Sequence, residues 1–487
     1  MPAYLALFNR ITQDAMRPVR TRCEARTPCE SVVRQLADTG EECAVIVDRN
    51  GHVQGLLTLQ GIARHVACRV GGDMPVARVM TTSPYVTRGE VPLYRALAEM
   101  DARHVRHAPV IAADGALLGV LYADEARQLA LPRGVARLEH LATPATLEGL
   151  KQARARQVDI ARALLGDNPD ARNVQQVISR LNDDLHSRLL ALAMDGMDQD
   201  GWGPPPAGFA LILMGSAGRM ESFLDPDQDN GFVIADYPDS AHGAIDRYFV
   251  ELARRLTQSL DTVGIPLCKG HVMATNPLWR KTLSQWHEQI RGWLRRRTEQ
   301  GFLQSNILLD CRGVAGEAGL AAQLRHDLTH QLARSRTYLR ALTLNESTRD
   351  VGLGWFDRLV TESGDSSHAG EIDLKRHGIM PIVEVARFYA LAHGIETAST
   401  PGRLQALADA GALSADDADA LQHAHGAVAG LILRRQLDDL SRERPPSKHV
   451  DPRTLTRRER ETLVASLKNV QGMVRRLSRD LVGADMG

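Results

Sequence analysis

Aromatic residues are scarce in this chain. Phe, Trp and Tyr make up 4% of its 487 residues, too few to build a platform on which nucleic-acid bases stack. Charge of one sign is missing as well. Lysine plus arginine number 59 and aspartate plus glutamate 59, a formal net charge of +0. No overall field therefore draws the chain to nucleic acid or to an anionic membrane. No apolar run approaches the roughly 18–20 residues that a membrane span requires. The opening MPAYLALFNRITQDAM lacks the basic start and small-residue cleavage site of an export signal.

Cysteine is sparse too. Cys23, Cys29, Cys43, Cys68, Cys268 and Cys311 form no CxxC pair and no zinc spacing. Most fall in apolar or strand-like context, where a free cysteine behaves as a small hydrophobe. A reducing, cytoplasmic compartment is expected. What is plentiful is alanine, leucine and arginine, which suits a helix-rich protein, and 487 residues allow about two to four domains.

The densest chemistry lies in FALILMGSAGRMESFLDPDQDNGFVIA, residues 209–235. The apolar runs 209–214 and 231–235 read as buried strands. Between them, Asp227 and Asp229 stand two apart, so in a strand they share a face and offer two carboxylates to a hard divalent cation. Gly215-Ser216 ends the first strand and opens a short helix, a turn whose backbone N–H groups favour phosphate oxygens. Arg219 follows one turn later. Each piece alone is more often a solvated turn; their spacing between two buried strands favours the functional reading.

Gly-Ser, then Arg-x-Glu, then Asp-x-Asp resembles the nucleotidyltransferases of the polymerase-beta superfold. GSAGRMES with DQDN carries the likeness, which extends to bacterial proteins in which CBS repeats precede a nucleotidyltransferase domain and a helical substrate-binding domain. These are distant relatives of the protein-PII uridylyltransferase. The resemblance implies that catalytic Asp227 and Asp229 hold Mg²⁺. It also implies that Gly215, Ser216 and Arg219 hold the phosphates of a nucleoside triphosphate, and that a nucleoside monophosphate passes to an acceptor such as a regulatory protein. A third carboxylate belongs on a later strand. By chain order that strand is IPLCKGHVMAT, residues 265–275, which has no acid. Asp310, one strand further on in SNILLDCRGVAGE, is the substitute. Lys269, beside His271, is a further candidate for the triphosphate, or else an exposed turn.

Residues 17–68 and 76–130 look like two copies of one unit, each an extended lead-in, helix, strand, tight turn, strand and helix. Each half has an incomplete core that stacking completes. The pair resembles CBS modules, which bind adenosine nucleotides between their halves and self-associate into homodimers. The ligand pattern Gly-h-h-Thr-x-x-Asp survives as Thr58 in the first copy and Glu125 in the second. Nucleotide sensing and a purely structural role both stay open. His104 and His107 read as packed or surface residues, with no carboxylate spaced to suggest a metal.

From 131 to about 197 the pattern is helical, broken at Pro144 and at Asn168-Pro169. Its basic residues Lys151, Arg154, Arg156 and Arg162 read as a solvated face. After the acidic stretch come a long amphipathic helix, then NPLWRKTLSQWHEQIRGWLRR with Trp279, Trp286 and Trp293 seven apart, a stripe that reads as core. Beyond about residue 335 the chain is helical throughout, an antiparallel bundle. Asp373, Lys375, Arg387 and Arg434 are candidates to face the central cleft.

The expected fold is therefore α+β and multidomain. A CBS pair occupies 1–130, a nucleotidyltransferase-like α/β domain with a helical lead-in 131–335, and an all-α substrate-binding domain 336–487. Two functions fit: a Mg²⁺-dependent nucleotidyltransferase regulated by the CBS pair, or a non-catalytic nucleotide sensor that retains the fold.

Overall fold

A computed structural model describes residues 7–67, 71–128, 146–167, 170–346, 351–363 and 367–483. The chain divides into two compact units, Met1–Pro144 and Ala145–Gly487. The central sheet and the C-terminal helices thus share one unit. No helix among the described residues is long and apolar enough to cross a membrane.

The first unit is a duplicated motif. Strands β1 (Arg22–Cys23), β2 (Cys43–Val47), β3 (Val53–Thr58) and β4 (Thr81–Thr82) form one sheet in that order. A second sheet runs β5 (Thr87–Arg88), β6 (His107–Ile111), β7 (Leu117–Tyr122). In each, a short strand pairs parallel with the first arm of an antiparallel hairpin. The register slips at equivalent places, Ile46/Val47 and Val110/Ile111. The halves also exchange lead-ins: β4, from the second copy, pairs with β3, and Arg17, from the first, bridges to Val120. Cys43, Val45 and Leu56 share a core with Val120 and Tyr122. Neither half closes that core alone.

The second unit is built on a mixed sheet of order β10-β9-β8-β11, with β8 Phe209–Leu213, β9 Asn230–Ile234, β10 Arg280–Thr282 and β11 Arg312–Gly316. β9 lies antiparallel to β8 and parallel to β10, and β11 runs antiparallel to β8. β8 and β9 are buried along their whole length, as an unbroken apolar run requires when both faces are covered. On one side Phe209, Leu211, Phe232 and Ile234 pack against Phe249 and Leu252 of the helix His242–Thr262 and Leu189 of the helix Ala171–Gln199. The tryptophan stripe is core: Trp279, Trp286 and Trp293 are buried, and Trp286 donates its indole N–H to the Phe232 carbonyl at 3.2 Å.

Three expectations about local structure are corrected. Residues 265–275 are a loop of turns and not a strand; β10 instead follows the turn at Pro277–Trp279. Asn306, Ile307 and Leu308 end a helix, Glu299–Leu308, that Thr298 caps by accepting from the Gly301 N–H at 3.2 Å. Arg154, assigned to a solvated face, is buried and donates to the Leu224 carbonyl at 2.7 Å. The breaks at Pro144 and Asn168-Pro169 lie outside the described residues.

The C-terminal helices include Met380–Ala392, Thr400–Asp409, Ala415–Ser441 and Arg457–Val482. A small ladder, β12 (Ile372–Asp373) with β13 (His449–Val450), joins the start of this region to the stretch after its third helix. One turn of π-helix, Lys375–Ile379, leads into Met380–Ala392.

Candidate functional site

Two apolar strands hold the chemistry between them. Met214 leaves β8 and donates its N–H to the Asp229 carbonyl at 2.9 Å, so the ladder continues past β9 and brings the glycine turn beside the acids. Gly215 has φ +56, a left-handed conformation that glycine accepts without strain. A methyl group placed on it would stand 2.6 Å from Asp229 Oδ2. The bend and the acid therefore occupy one place. Gly215, Ser216, Asp227 and Asp229 line a single cavity of about 180 Å³ with Lys375, Glu384 and Arg387 of the helical region.

The acids stand on an extended run before β9, with their alternation preserved. Gln228, between them, is fully buried and donates its side-chain amide to the carbonyls of Ile265 at 2.8 Å and Thr257 at 3.1 Å. Asn230 accepts from the Ala274 N–H at 3.0 Å. Those inward amides hold the run, and period two then turns Asp227 and Asp229 outward to the cavity. From the other end, Gln175 donates to the Glu221 carbonyl at 2.9 Å, and Gln436 accepts from the Leu224 N–H at 3.0 Å.

Burial, and then the charge of Asp227, push the Asp229 carboxyl up to about 7. Burial and a neighbouring carboxylate both disfavour the charged form and outweigh the opposing charges of Lys375 and Arg219, whereas a bound cation would favour it. Cys268, from the loop that takes the third acid's place in chain order but has no acid, completes the group: its Sγ and the two carboxylates offer ligand atoms within 4.8 Å of one another. Burial, followed by the Asp229 charge, pushes its thiol up to about 11. A hard cation would meet two carboxylates beside a protonated thiol here. The pair suits Mg²⁺, which is commonly bound through one or two protein carboxylates and substrate phosphates.

Asp310 does not extend that set, although it lines the same cavity. Arg219 Nη1 donates to its Oδ2 at 2.6 Å, Arg387 reaches both oxygens at 3.1 and 2.5 Å, and Arg403 Nη1 reaches Oδ1 at 2.8 Å. Burial alone would raise this carboxyl, yet the charges of Arg387, Arg219 and Arg403 hold it well below the usual range. With both oxygens committed to three guanidinium groups, it is a structural anion and not a third metal acid. Arg219 lines the same cavity. It is buried and clamped between Asp310 and Glu221, the latter at 2.8 Å, so its charge is already matched.

The other expected residues divide. Lys375 and Arg387 line the cavity, and burial, reinforced by Lys448, lowers the Lys375 ammonium. Lys269 is on an exposed turn and does not line it. Asp373 accepts from the Arg376 N–H at 3.0 Å, and Arg434 pairs with Glu459 on the surface at 3.0 Å. Glu384 and Asn306 were missed. The signal for Glu384 was legible, since with Arg387 it interrupts MPIVEVARFYALA, a largely apolar helix.

In the first unit Thr58 lines a cavity of about 440 Å³ with Thr81, Tyr85, His104, Arg106 and His107. Its hydroxyl also accepts from the Gly61 N–H at 3.1 Å. Glu125 is elsewhere, in an exposed pair with Arg17 at 2.7 Å. His107 does have a carboxylate partner, Glu42 at 3.0 Å, which sequence spacing did not reveal.

Comparison with known proteins agrees with this division. Residues 155–300 match the family described as Putative nucleotidyltransferase DUF294. Residues 336–481 match the Putative nucleotidyltransferase substrate binding domain, and residues 76–130 the CBS domain. Among solved structures, the CBS domain protein PAE2072 from Pyrobaculum aerophilum, complexed with AMP, is 22% identical over 24% of this chain and 88% of that chain, with a TM-score of 0.23. The CBS domain pair of protein MJ0100, in complex with 5-methylthioadenosine and S-adenosyl-L-methionine, is 16% identical over 24% and 94%, with a TM-score of 0.23. An uncharacterized conserved protein from Pyrococcus horikoshii is 19% identical over 26% and 96%, with a TM-score of 0.24. No curated protein matches the chain. Domain by domain, the chain thus carries matches to the CBS domain, to the family described as Putative nucleotidyltransferase DUF294 and to its substrate binding domain, in that order.

Proposed function

We propose that this protein transfers a nucleoside monophosphate from a nucleoside triphosphate to an acceptor, in the manner of a protein-PII uridylyltransferase, at the cavity between β8, β9 and the helical region. The observation that carries the reading is the contact of Gly215 with the Asp229 carboxylate, within a cavity that Ser216, Asp227 and Lys375 also line. Asp227 and Asp229 would hold Mg²⁺, which when bound neutralises phosphate charge and orients the triphosphate. The Gly215-Ser216 turn lets phosphate oxygens approach the backbone, and Lys375 supplies a cation from the helical side. An acceptor nucleophile then forms a bond to the α-phosphorus, the bond to the β-phosphate oxygen breaks, pyrophosphate leaves, and the nucleophile's proton passes to solvent.

The acceptor in this reading is a regulatory protein, the compartment the reducing cytoplasm, and the working form a homodimer. An adenosine nucleotide in the cavity lined by Thr58 and Tyr85 would regulate the reaction.

A second reading has one observation in its favour. The carboxylate nearest in chain order to a third metal acid is held by three arginines, and a thiol stands beside the acid pair instead. A nucleotide sensor without turnover fits that. Incubating the full chain with Mg²⁺, α-labelled nucleotides and candidate acceptor proteins separates the two. Label on an acceptor with matching pyrophosphate release supports transfer; nucleotide binding without either supports the sensor.

A further inference from the structure

We propose that His326, His330 and Glu396 form a binding site for a divalent transition-metal ion of the zinc class. His326 and His330 are four apart on the helix Ala318–Ala333, so their rings leave the same face, with centroids 4.2 Å apart. Glu396 comes from the segment between the helices Met380–Ala392 and Thr400–Asp409. Its Oε1 lies 2.7 Å from His326 Nδ1 and 3.5 Å from His330 Nε2. The three ligand atoms are all within 4.8 Å of one another.

A tetrahedral ion with bonds of about 2.0–2.2 Å holds its donors roughly 3.3–3.6 Å apart. The Glu396–His330 separation already falls in that range and the Glu396–His326 separation is shorter, so a small rotation that lengthens it fits the ion. The backbone beneath is fixed. Arg325, next to His326, donates to the Glu396 carbonyl and to the Cys311 carbonyl. His326, His330 and Glu396 side chains are 55%, 42% and 40% exposed, open to an ion from solution and leaving a fourth position to water. Two imidazole nitrogens with one carboxylate oxygen suit zinc, cobalt or nickel; magnesium prefers an all-oxygen set.

One histidine would suffice for an ion pair with Glu396. The second imidazole, converging on the same oxygen, is what an ion pair leaves unexplained. A bound ion ties the helix Ala318–Ala333 to the segment that leads into Thr400–Asp409, whose Arg403 holds Asp310. Occupancy should therefore register in the stability of the second unit.

The test is titration of the full chain with Co²⁺ and Zn²⁺ against a competing chelator, using wild type, His330→Ala, Glu396→Gln and the Asp227→Asn/Asp229→Asn double variant. The expected result is one equivalent of Co²⁺ with visible ligand-field absorption in wild type and in the aspartate variant. Affinity falls at least tenfold in His330→Ala and Glu396→Gln, and Zn²⁺ raises Tm in wild type but not in His330→Ala. The proposal is overturned if wild type takes up no Co²⁺ against the chelator. It is overturned equally if binding survives unchanged in His330→Ala and Glu396→Gln, or disappears with the Asp227 and Asp229 carboxylates alone.

Discussion

A methyl group at Gly215 would stand 2.6 Å from the Asp229 carboxylate. Gly215 also has φ +56, so Gly215→Ala is strained twice, by backbone conformation and by the acid it meets. The expected cost is on the order of 1–3 kcal/mol in urea unfolding. Affinity for Mg²⁺-nucleotide should fall at least tenfold, because the acid must move to admit the side chain. Alanine at Gly243, where nothing lies within 4 Å, is the control that should change neither.

Asp229 makes stability depend on pH with a definite sign. Unfolded, the carboxyl ionises near its ordinary value of 3.8; folded, it is pushed up to about 7 by burial and by Asp227. The folded chain therefore holds an extra proton between those values. The stabilisation from that proton is complete below the unfolded value and is lost as pH rises through about 7. Asp229→Asn should accordingly raise Tm at pH 8, by roughly 1–2 kcal/mol equivalent after solvent screening, and raise it less at pH 5, where the folded carboxyl still holds its proton. Mg²⁺ should stabilise wild type more at pH 8 than at pH 5 and have no such effect on the variant. Calorimetric scans at the two pH values check both signs.

Asp310 should behave in the opposite way. Its removal leaves Arg219, Arg387 and Arg403 buried without their common partner, so Asp310→Asn should cost about 3–5 kcal/mol. Being held below the usual carboxylate range, it contributes stability that is present above its unfolded value and lost as pH falls toward its folded one. A metal acid would instead resemble Asp229, with stability gained on neutralisation. Denaturant midpoints of the two variants at pH 7.5 should move in opposite directions.

In the CBS unit, Thr58 lines the cavity and Glu125 does not. Thr58→Val should weaken AMP binding severalfold and cost about 1 kcal/mol through the lost cap on Gly61. Glu125→Gln should change neither. Nucleotide-dependent Tm shifts on the two variants decide the matter, and equal loss in both would contradict the placement.

Sequence pattern revealed the parts whose physics is local. β8 and β9 are unbroken apolar runs around a glycine turn, and the CBS repeat shows twice. The loop at 265–275 misled because Ile265, Cys268, Val272, Met273 and Ala274 are buried as a strand's residues would be, although Leu267 is exposed. Its backbone groups, however, are satisfied by Gln228 and Asn230 and not by a ladder: Gln228 and Asn230 donate their own N–H groups to the Pro266 and Val272 carbonyls, at 3.1 and 3.0 Å. Asp310 misled for a different reason. Its partners lie 91, 77 and 93 positions away, and periodicity does not carry a pairing over such distances. Cys268 has the same cause, since only the folded loop sets its sulfur beside the acids.

The central claim is that the acid pair and the glycine-serine turn grip one Mg²⁺-triphosphate. Isothermal titration of wild type and the Asp227→Ala/Asp229→Ala variant with ATP and with UTP, each with and without Mg²⁺, tests it most directly. The account predicts Mg²⁺-dependent binding of at least one nucleotide in wild type, with that dependence lost in the variant. Equal Mg²⁺-dependent binding in both proteins would contradict it.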